Sequence, residues 1–343
     1  MNYFLEEQGT FIPAADRVWL DDALDPHKQE ADRLLEKAIE QHHIRRYQAA
    51  LHTLRQAIDL YQALADLQGE GRALSSMGLS HYALGNYAEA IAYSQQSLAI
   101  SHLTLDRWTQ RQALGNLGNA YRHLEDYARA IEYKLQSLKV AREITDIRGE
   151  LAALNNLGMV YRAAGDQALA IAYYQQCLDL ARQHQDPQVE RQVLRNLGNV
   201  HHSLANYSQT IACYEQLLNL VRQQDDRPAE ALVLKNLAST AHALGNYAQA
   251  IAYQQARLTV AQSLKDDRLQ EQILESLAVI HEVMGAFEPA IDYYEQRLTV
   301  ARQLVDPTLE QRSIDSLKNA YCAIGEFTKA NQIDSIATAV NLN

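Results

Sequence analysis

The stretch "ALGNLGNAYRHLEDYARAIEYKLQSLKVA", residues 113–141, decides the fold because it keeps returning. Residues 153–181 read "ALNNLGMVYRAAGDQALAIAYYQQCLDLA", residues 193–221 read "VLRNLGNVHHSLANYSQTIACYEQLLNLV", and residues 233–261 read "VLKNLASTAHALGNYAQAIAYQQARLTVA". The offset is 40 residues each time. Self-similarity at a fixed period of this size is the mark of a repeat protein, in which each unit buries its apolar face against the next.

Laid on that period, the chain resolves into columns. Leu117, Leu157, Leu197, Leu237, Leu277 and Leu317 form one, and Gly78, Gly118, Gly158, Gly198, Ala238 and Ala278 the small column beside it. A second small column, Ala50, Ala90, Ala130, Ala170, Thr210, Ala250, Ala290 and Ala330, comes after an aromatic one that only Gln167 interrupts. Each unit carries two apolar stripes at helical spacing: Leu114, Leu117, Tyr121 and Leu124, then Ala130, Ile131, Leu138 and Ala141. This is the pattern of a helical hairpin, with Gly118 expected to face Ala130 so that the two backbones approach closely.

The punctuation supports it. Gly85-Asn86, Glu125-Asp126, Gly165-Asp166, Gly245-Asn246, Gly285-Ala286 and Gly325-Glu326 fall between paired helices, mostly residues able to adopt the left-handed conformation that ends a helix. Asp66, Asp106, Asp146, Asp186, Asp226, Asp266 and Asp306 fall between successive hairpins and are expected to be N-caps, since Pro187 and Pro307 come next as first-turn prolines. Glu150, Glu190, Glu230 and Glu310 place acid in the first turn. The expected architecture is all-α: about eight hairpins in a right-handed superhelical solenoid over residues 28–343, with terminal capping helices. Residues 1–27 are expected to be an extended arm.

These columns resemble the tetratricopeptide repeats (TPR), with Leu117, Gly118, Tyr121, Tyr127 and Ala130 at that family's signature positions. The 40-residue length and phrases such as "AIDYYEQRLTVA" are similar to the elongated variant of Pins-type scaffolds, kinesin light chains and many bacterial, especially cyanobacterial, proteins. The resemblance implies a non-enzymatic protein–protein interaction scaffold or adaptor that binds peptides. An assembly factor escorting subunits of a larger complex and a peptide-sensing regulator are the alternatives. It also implies that the first helix of each hairpin lines a concave groove.

Read onto this sequence, the groove positions include Asn119 and Arg122; Asn155 and Arg162; Arg195, Asn199 and His202; Lys235 and His242. The last repeats offer Glu275, Glu282 and Asp315 instead. A basic centre predicts an acidic, extended partner segment, its carboxylates held by charge-assisted bonds. The column Asn116, Asn156, Asn196 and Asn236 has two readings: hydrogen bonds to the backbone of an extended ligand, or bridges between adjacent helices.

Composition narrows the remaining classes. The chain has 343 residues, 47% of them hydrophobic, enough for a substantial core, and no apolar run long enough to span a membrane. A formal charge of -11 opposes nucleic-acid binding, which needs a positive footprint. No nucleophile–base constellation, phosphate loop or paired-cysteine motif is present, so no enzyme activity, cofactor or metal is expected. His202 and His242, equivalent in neighbouring repeats, could share a metal only if the helices brought them within a few ångströms of one another, and no metal site is predicted there. The N-terminus lacks a basic leader and a long apolar segment, which predicts a cytoplasmic protein. Cys177, Cys213 and Cys322 are expected to be reduced core residues. The arm's "DRVWLDDALDP", residues 16–26, is acidic and apolar; it suits either a groove, including that of a second copy in self-association, or a cover for the first hairpin.

Overall fold

The computed structural model describes residues 25–340, and all regular elements among them are helices. They pair as α1 (Pro26–His43) with α2 (Tyr47–Ala63), α3 (Leu67–Ala83) with α4 (Tyr87–Leu103), α5 (Arg107–His123) with α6 (Tyr127–Glu143), and α7 (Ile147–Ala163) with α8 (Gln167–Gln183). Next come α9 (Pro187–Ser203) with α10 (Tyr207–Gln223), α11 (Arg227–Ala243) with α12 (Tyr247–Leu264), α13 (Asp267–Val283) with α14 (Phe287–Gln303), and α15 (Pro307–Ala323) with α16 (Phe327–Val340). The fold is the helical-hairpin repeat solenoid the columns predict. Pro26 and His27 belong to α1, capped by Asp25, and the remainder of the expected arm up to residue 24 lies outside the described residues.

The links explain the period. Most helices are 17 residues long and are joined by three-residue links, so a helix and its link repeat every twenty residues. Every link carries one left-handed residue: five are glycines, including Gly85 and Gly165, and ten are not, among them Ala65, Leu105, Thr145 and Val305. Glycine therefore marks only some of these turns. What most of them share is a bond pattern: in the link after α2, Asp66 N–H donates to Tyr61 O at 2.9 Å and Ala65 N–H to Gln62 O at 3.1 Å, which satisfies the terminal carbonyls.

The aspartates between hairpins then start the next helix. Carboxylates of Asp66, Asp146 and Asp266 accept from the N–H of Gly69, Gly149 and Leu269 at 2.9 Å each, and Asp106 and Asp226 from Thr109 and Ala229 at 3.1 Å. Several also clamp one hairpin to the next: Lys28 pairs with Asp66, Arg111 with Asp146 at 2.7 Å, and Arg191 with Asp226 at 2.7 Å. The first-turn glutamates are engaged as well. Arg142 reaches Glu150, Arg182 reaches Glu190, and Arg222 reaches Glu230, eight residues on each time, at 2.6–2.7 Å.

The chain divides into two compact units, residues 1–173 and 174–343, with the division inside α8. In the first unit Leu34, Leu35, Leu54, Tyr61, Leu74 and Met77 form one core cluster, and Leu117, Tyr121, Ala130 and Val160 another. In the second, Ile273, Leu277 and Ala261 pack together, as do Ile291, Tyr294, Ile314 and Leu317. Burial of this kind contributes roughly 25 cal/mol per Å² of apolar surface and drives hairpin stacking.

Two expectations change. The atoms nearest a Cβ built on Gly118 belong to Lys134, not Ala130, at 2.8–2.9 Å; on Gly198 they belong to Tyr214. The small column makes room for the side chain one turn beyond the small alanine, and in α6 that side chain is a lysine. Of the cysteines only Cys177 is buried; Cys213 is half-buried, and Cys322, next to the C-terminal residue of α15, is exposed.

Candidate functional site: a cationic cavity in the first unit

Helices α1, α3, α5 and α7 turn one face toward a cavity of about 400 Å³, to whose wall α6 also contributes. Leu35, Ile39 and Leu79 line its apolar part; Arg72, Arg111, Lys134 and His43 line its polar part, with no carboxylate among the lining side chains. Gly115 and Ser137 keep it open. At the corresponding positions of the seventh hairpin stand Glu275 and Arg297, long side chains that bridge the same gap.

Lys134 gives the cavity its character. The side chain is 2% exposed, and its Nζ donates to Gly115 O and to Asn119 Oδ1, both at 2.7 Å. Neither acceptor is charged. Burial, then the nearby Arg122 and Arg111, push its pKa from the ordinary lysine range down to about 7. Arg111 leans on Asp146 at 2.7 Å and over the ring of Trp108 at 5.5 Å; burial still holds its pKa below the usual value. The cavity thus offers an amine that is about half protonated at neutral pH, with no carboxylate partner among the described residues, beside a half-shared guanidinium, an arrangement that favours an anion.

Of the residues named from the sequence, Asn116, Asn119 and Asn156 line this cavity. Asn155 is buried at 8% exposure, its amide toward Met159 Sδ at 3.9 Å. Arg122, half-buried at the end of α5, lies 2.9 Å from His123 Nε2, and Arg162 is exposed at the end of α7. Neither arginine lines the cavity. The asparagine column shows its bridging role at Asn116, whose Nδ2 donates to Ser75 O of α3 at 3.0 Å.

In the second unit a smaller pocket of about 180 Å³ joins Asn199, His202 and Asn236 with Tyr214, Ser239 and Thr240. Tyr214 OH donates to Asn199 Oδ1 at 2.7 Å. His202 and His242 each stand edge-on to a tyrosine of their own hairpin, Tyr207 and Tyr247. Arg195 and Lys235 are exposed, Asn196 is half-buried, and His242 is exposed. These four do not line that pocket. Glu275, one of the acids of the later repeats, is engaged by Arg297 at 3.0 Å.

Lys134, Arg111, Arg72 and His43 are missing from the residues read from the sequence. One signal was available for the first. Its column reads Ser94, Lys134, Tyr174, Tyr214, Gln254 and Tyr294, and a lysine in a column otherwise filled by core tyrosines and small polar residues stands out.

Stacked helical hairpins with an open, ligand-sized cavity on their first helices define a helical-repeat protein of the binding kind. The chain belongs to the tetratricopeptide repeat family, whose sequence pattern matches residues 71–106, 109–183, 190–263 and 234–303. No curated protein sequence matches it. Among solved structures it is similar to a Rap protein complexed with Competence and Sporulation Factor: 14% identity, 85% of this chain and 80% of that one, TM-score 0.53. It is likewise similar to the apo quorum sensor NprR of B. thuringiensis: 13% identity, 96% and 92%, TM-score 0.53. A third similar structure is the signal transduction ATPase with a tetratricopeptide repeat sensor from Pyrococcus horikoshii: 16% identity, 96% of this chain and 55% of that one, TM-score 0.56. At these identities the likeness is one of fold. No described helix is long and apolar enough to cross a membrane.

Proposed function

We propose that the protein is a non-enzymatic interaction module that holds an acidic, extended segment of a partner protein against the first helices of its hairpins. A carboxylate of that segment enters the cavity between α1, α3, α5 and α7. The observation that carries this reading is Lys134: a buried amine with only neutral acceptors, at the wall of an open cavity with no carboxylate among its described lining residues. A ligand carboxylate would supply the missing counter-charge, and Leu35, Ile39 and Leu79 would receive an apolar neighbour in the segment. Arg122 and Arg162, outside the cavity, would contact the flanking acids as the segment leaves it. With a formal charge of -11, the chain relies on this local cationic cluster rather than on its overall field to attract an anion.

The shared fold with a quorum sensor and with a sensor module favours a second reading within the same class, a regulator that changes state when its segment binds. A scaffold and a sensor use the same cavity and differ in whether binding alters the conformation of the repeats.

The test is fluorescence anisotropy with a labelled peptide alternating leucine with aspartate and glutamate, against wild type and Lys134→Met. The reading predicts an affinity at least tenfold weaker for the variant, roughly 1.4 kcal/mol. A peptide carrying Asn and Gln in place of the acids should bind neither. Equal affinity of the acidic peptide for both proteins would remove the cavity from the account.

A further inference from the structure

The second unit holds a buried arginine whose counterpart in the next hairpin has an internal carboxylate and which itself has none. Arg297 of α14 is 2% exposed; its Nε lies 2.7 Å from Glu271 Oε1, and its Nη2 3.0 Å from Glu275 Oε1, both on α13. Forty residues earlier Arg257 of α12 occupies the same column, 7% exposed. The positions of Glu271 and Glu275 are there held by Ala231 and Lys235.

The pairing between these columns recurs. Ser97 Oγ donates to Gly71 O at 2.8 Å and Ser137 Oγ to Arg111 O at 3.2 Å, each across the 26 residues that separate Arg297 from Glu271. The same separation sets Ala231 opposite Arg257. Among the described residues the guanidinium has only a long bond, Nη1 to Gln254 Oε1 at 3.5 Å, and its buried Nε has no hydrogen-bond partner. Glu230, next to Ala231, is already held by Arg222 at 2.6 Å and Arg227 at 3.2 Å. Burial lowers the guanidinium's pKa, and no carboxylate opposes that shift. A buried, unpaired charge is costly, and one that the fold leaves unpaired is balanced most simply from outside. In the first unit the same column reaches a cavity, where Ser137 lines the cationic pocket.

We propose that Arg257 anchors a second carboxylate site within the second unit, in which an aspartate or glutamate of an acidic peptide takes the place beside the guanidinium that Glu271 takes beside Arg297. The site lies at the face of α11 and α12, with Lys235 exposed next to it as the entry-side cation. This rests on the reading of the chain as a binder of acidic segments and adds a residue outside the cavity of Lys134. The ligand class is a carboxylate-bearing peptide side chain, chosen because the internal reference is itself a glutamate.

The repeat supplies two substitutions that test it without spoiling the fold. Arg257→Leu copies Leu217, the buried residue of the preceding hairpin at this column. Ala231→Glu copies Glu271 and gives Arg257 an internal partner. Full-length wild type, both variants and Lys134→Met are titrated calorimetrically with the peptide acetyl-Glu-Asp-Glu-Asp-amide, and their melting temperatures recorded with and without it. The proposal expects both unit-2 variants to melt no lower than wild type and to bind the peptide at least fivefold more weakly. It is overturned if they bind as wild type does, or if Arg257→Leu melts lower with binding unchanged, which makes Arg257 a structural residue. Loss of binding in Lys134→Met alone would uphold the cavity and reject this site. Loss in the Arg257 and Ala231 variants alone would do the reverse, and no binding to wild type rejects both.

Discussion

The aliphatic stem of Lys134 lies across Gly118: a Cβ on the glycine would come within 2.8 Å of Lys134 Cγ and Cε and 2.9 Å of Cδ. The glycine and the buried ammonium are therefore one feature, since a larger residue in α5 would force the lysine out of its slot and off Asn119. Gly118→Ala should destabilise the fold by about 1–3 kcal/mol, the usual cost of overpacking, and weaken acidic-peptide binding in parallel. Chemical denaturation and peptide anisotropy on the same variant check both halves.

The aspartate caps give an acid-sensitive signature. Asp106 accepts from Thr109 N–H at 3.1 Å and Thr109 Oγ1 at 2.8 Å; burial would raise its pKa, but these bonds outweigh it and the pKa lies below the usual carboxylate value. A depressed carboxylate contributes stability above its unfolded pKa, roughly 3.9, and that contribution is lost as pH falls through the lower folded value. Asp106→Ala should cost about 1 kcal/mol at pH 7, with the difference from wild type shrinking below about pH 4. Urea melts of both proteins across this range measure it.

How much of this was legible in the sequence depends on what the repeat makes periodic. The hairpins and caps were, because Leu117, Tyr127 and Asp106 recur in register and each has a local cause. The left-handed links were legible at glycines such as Gly85 and at Glu125; Leu105 and Val305 adopt the same conformation because the carbonyls behind them must be satisfied, a requirement that leaves no composition mark. The groove was read from exposed positions on first helices, which brought Asn119 and Asn156 to the cavity. The cations that line it came from elsewhere: Lys134 reaches across from a second helix, and Arg111 stands two turns before Asn119. Columns describe what repeats, whereas a site is built where one repeat departs from its neighbours.

Val305 bears on that point. It is a β-branched residue at φ 53° with 83% of its surface exposed, so it carries left-handed strain without packing in return. Val305→Gly should stabilise the chain by about 0.5–1 kcal/mol, the strain relieved less the entropy of glycine. A rise in melting temperature checks it; a fall would show that Val305 is held by contacts its exposure does not suggest.

The buried pair Arg297–Glu271 predicts the opposite behaviour from Arg257. Removing one partner leaves a charge stranded, so Glu271→Ala should cost about 3–5 kcal/mol, partly offset by the remaining half-exposed Glu275. A denaturation series comparing Glu271→Ala with Arg257→Leu separates a satisfied guanidinium from an unsatisfied one.

Binding to the cavity should itself depend on pH. A ligand carboxylate beside Lys134 raises its pKa from about 7, so binding takes up protons and weakens as pH rises through the bound-state value. Calorimetric titrations at pH 7 and 9, in buffers of different ionisation enthalpy, should show both proton uptake at the lower pH and weaker affinity at the higher.

The most direct test of the central claim is the titration of Lys134 itself, followed by NMR of ¹³Cε-labelled lysine, with Lys134→Met identifying its resonance. The account predicts a midpoint near 7 in the free protein, moving up by at least one unit when the acidic peptide is added. A midpoint near the ordinary lysine value of about 10.4, or one the peptide leaves unmoved, would contradict it.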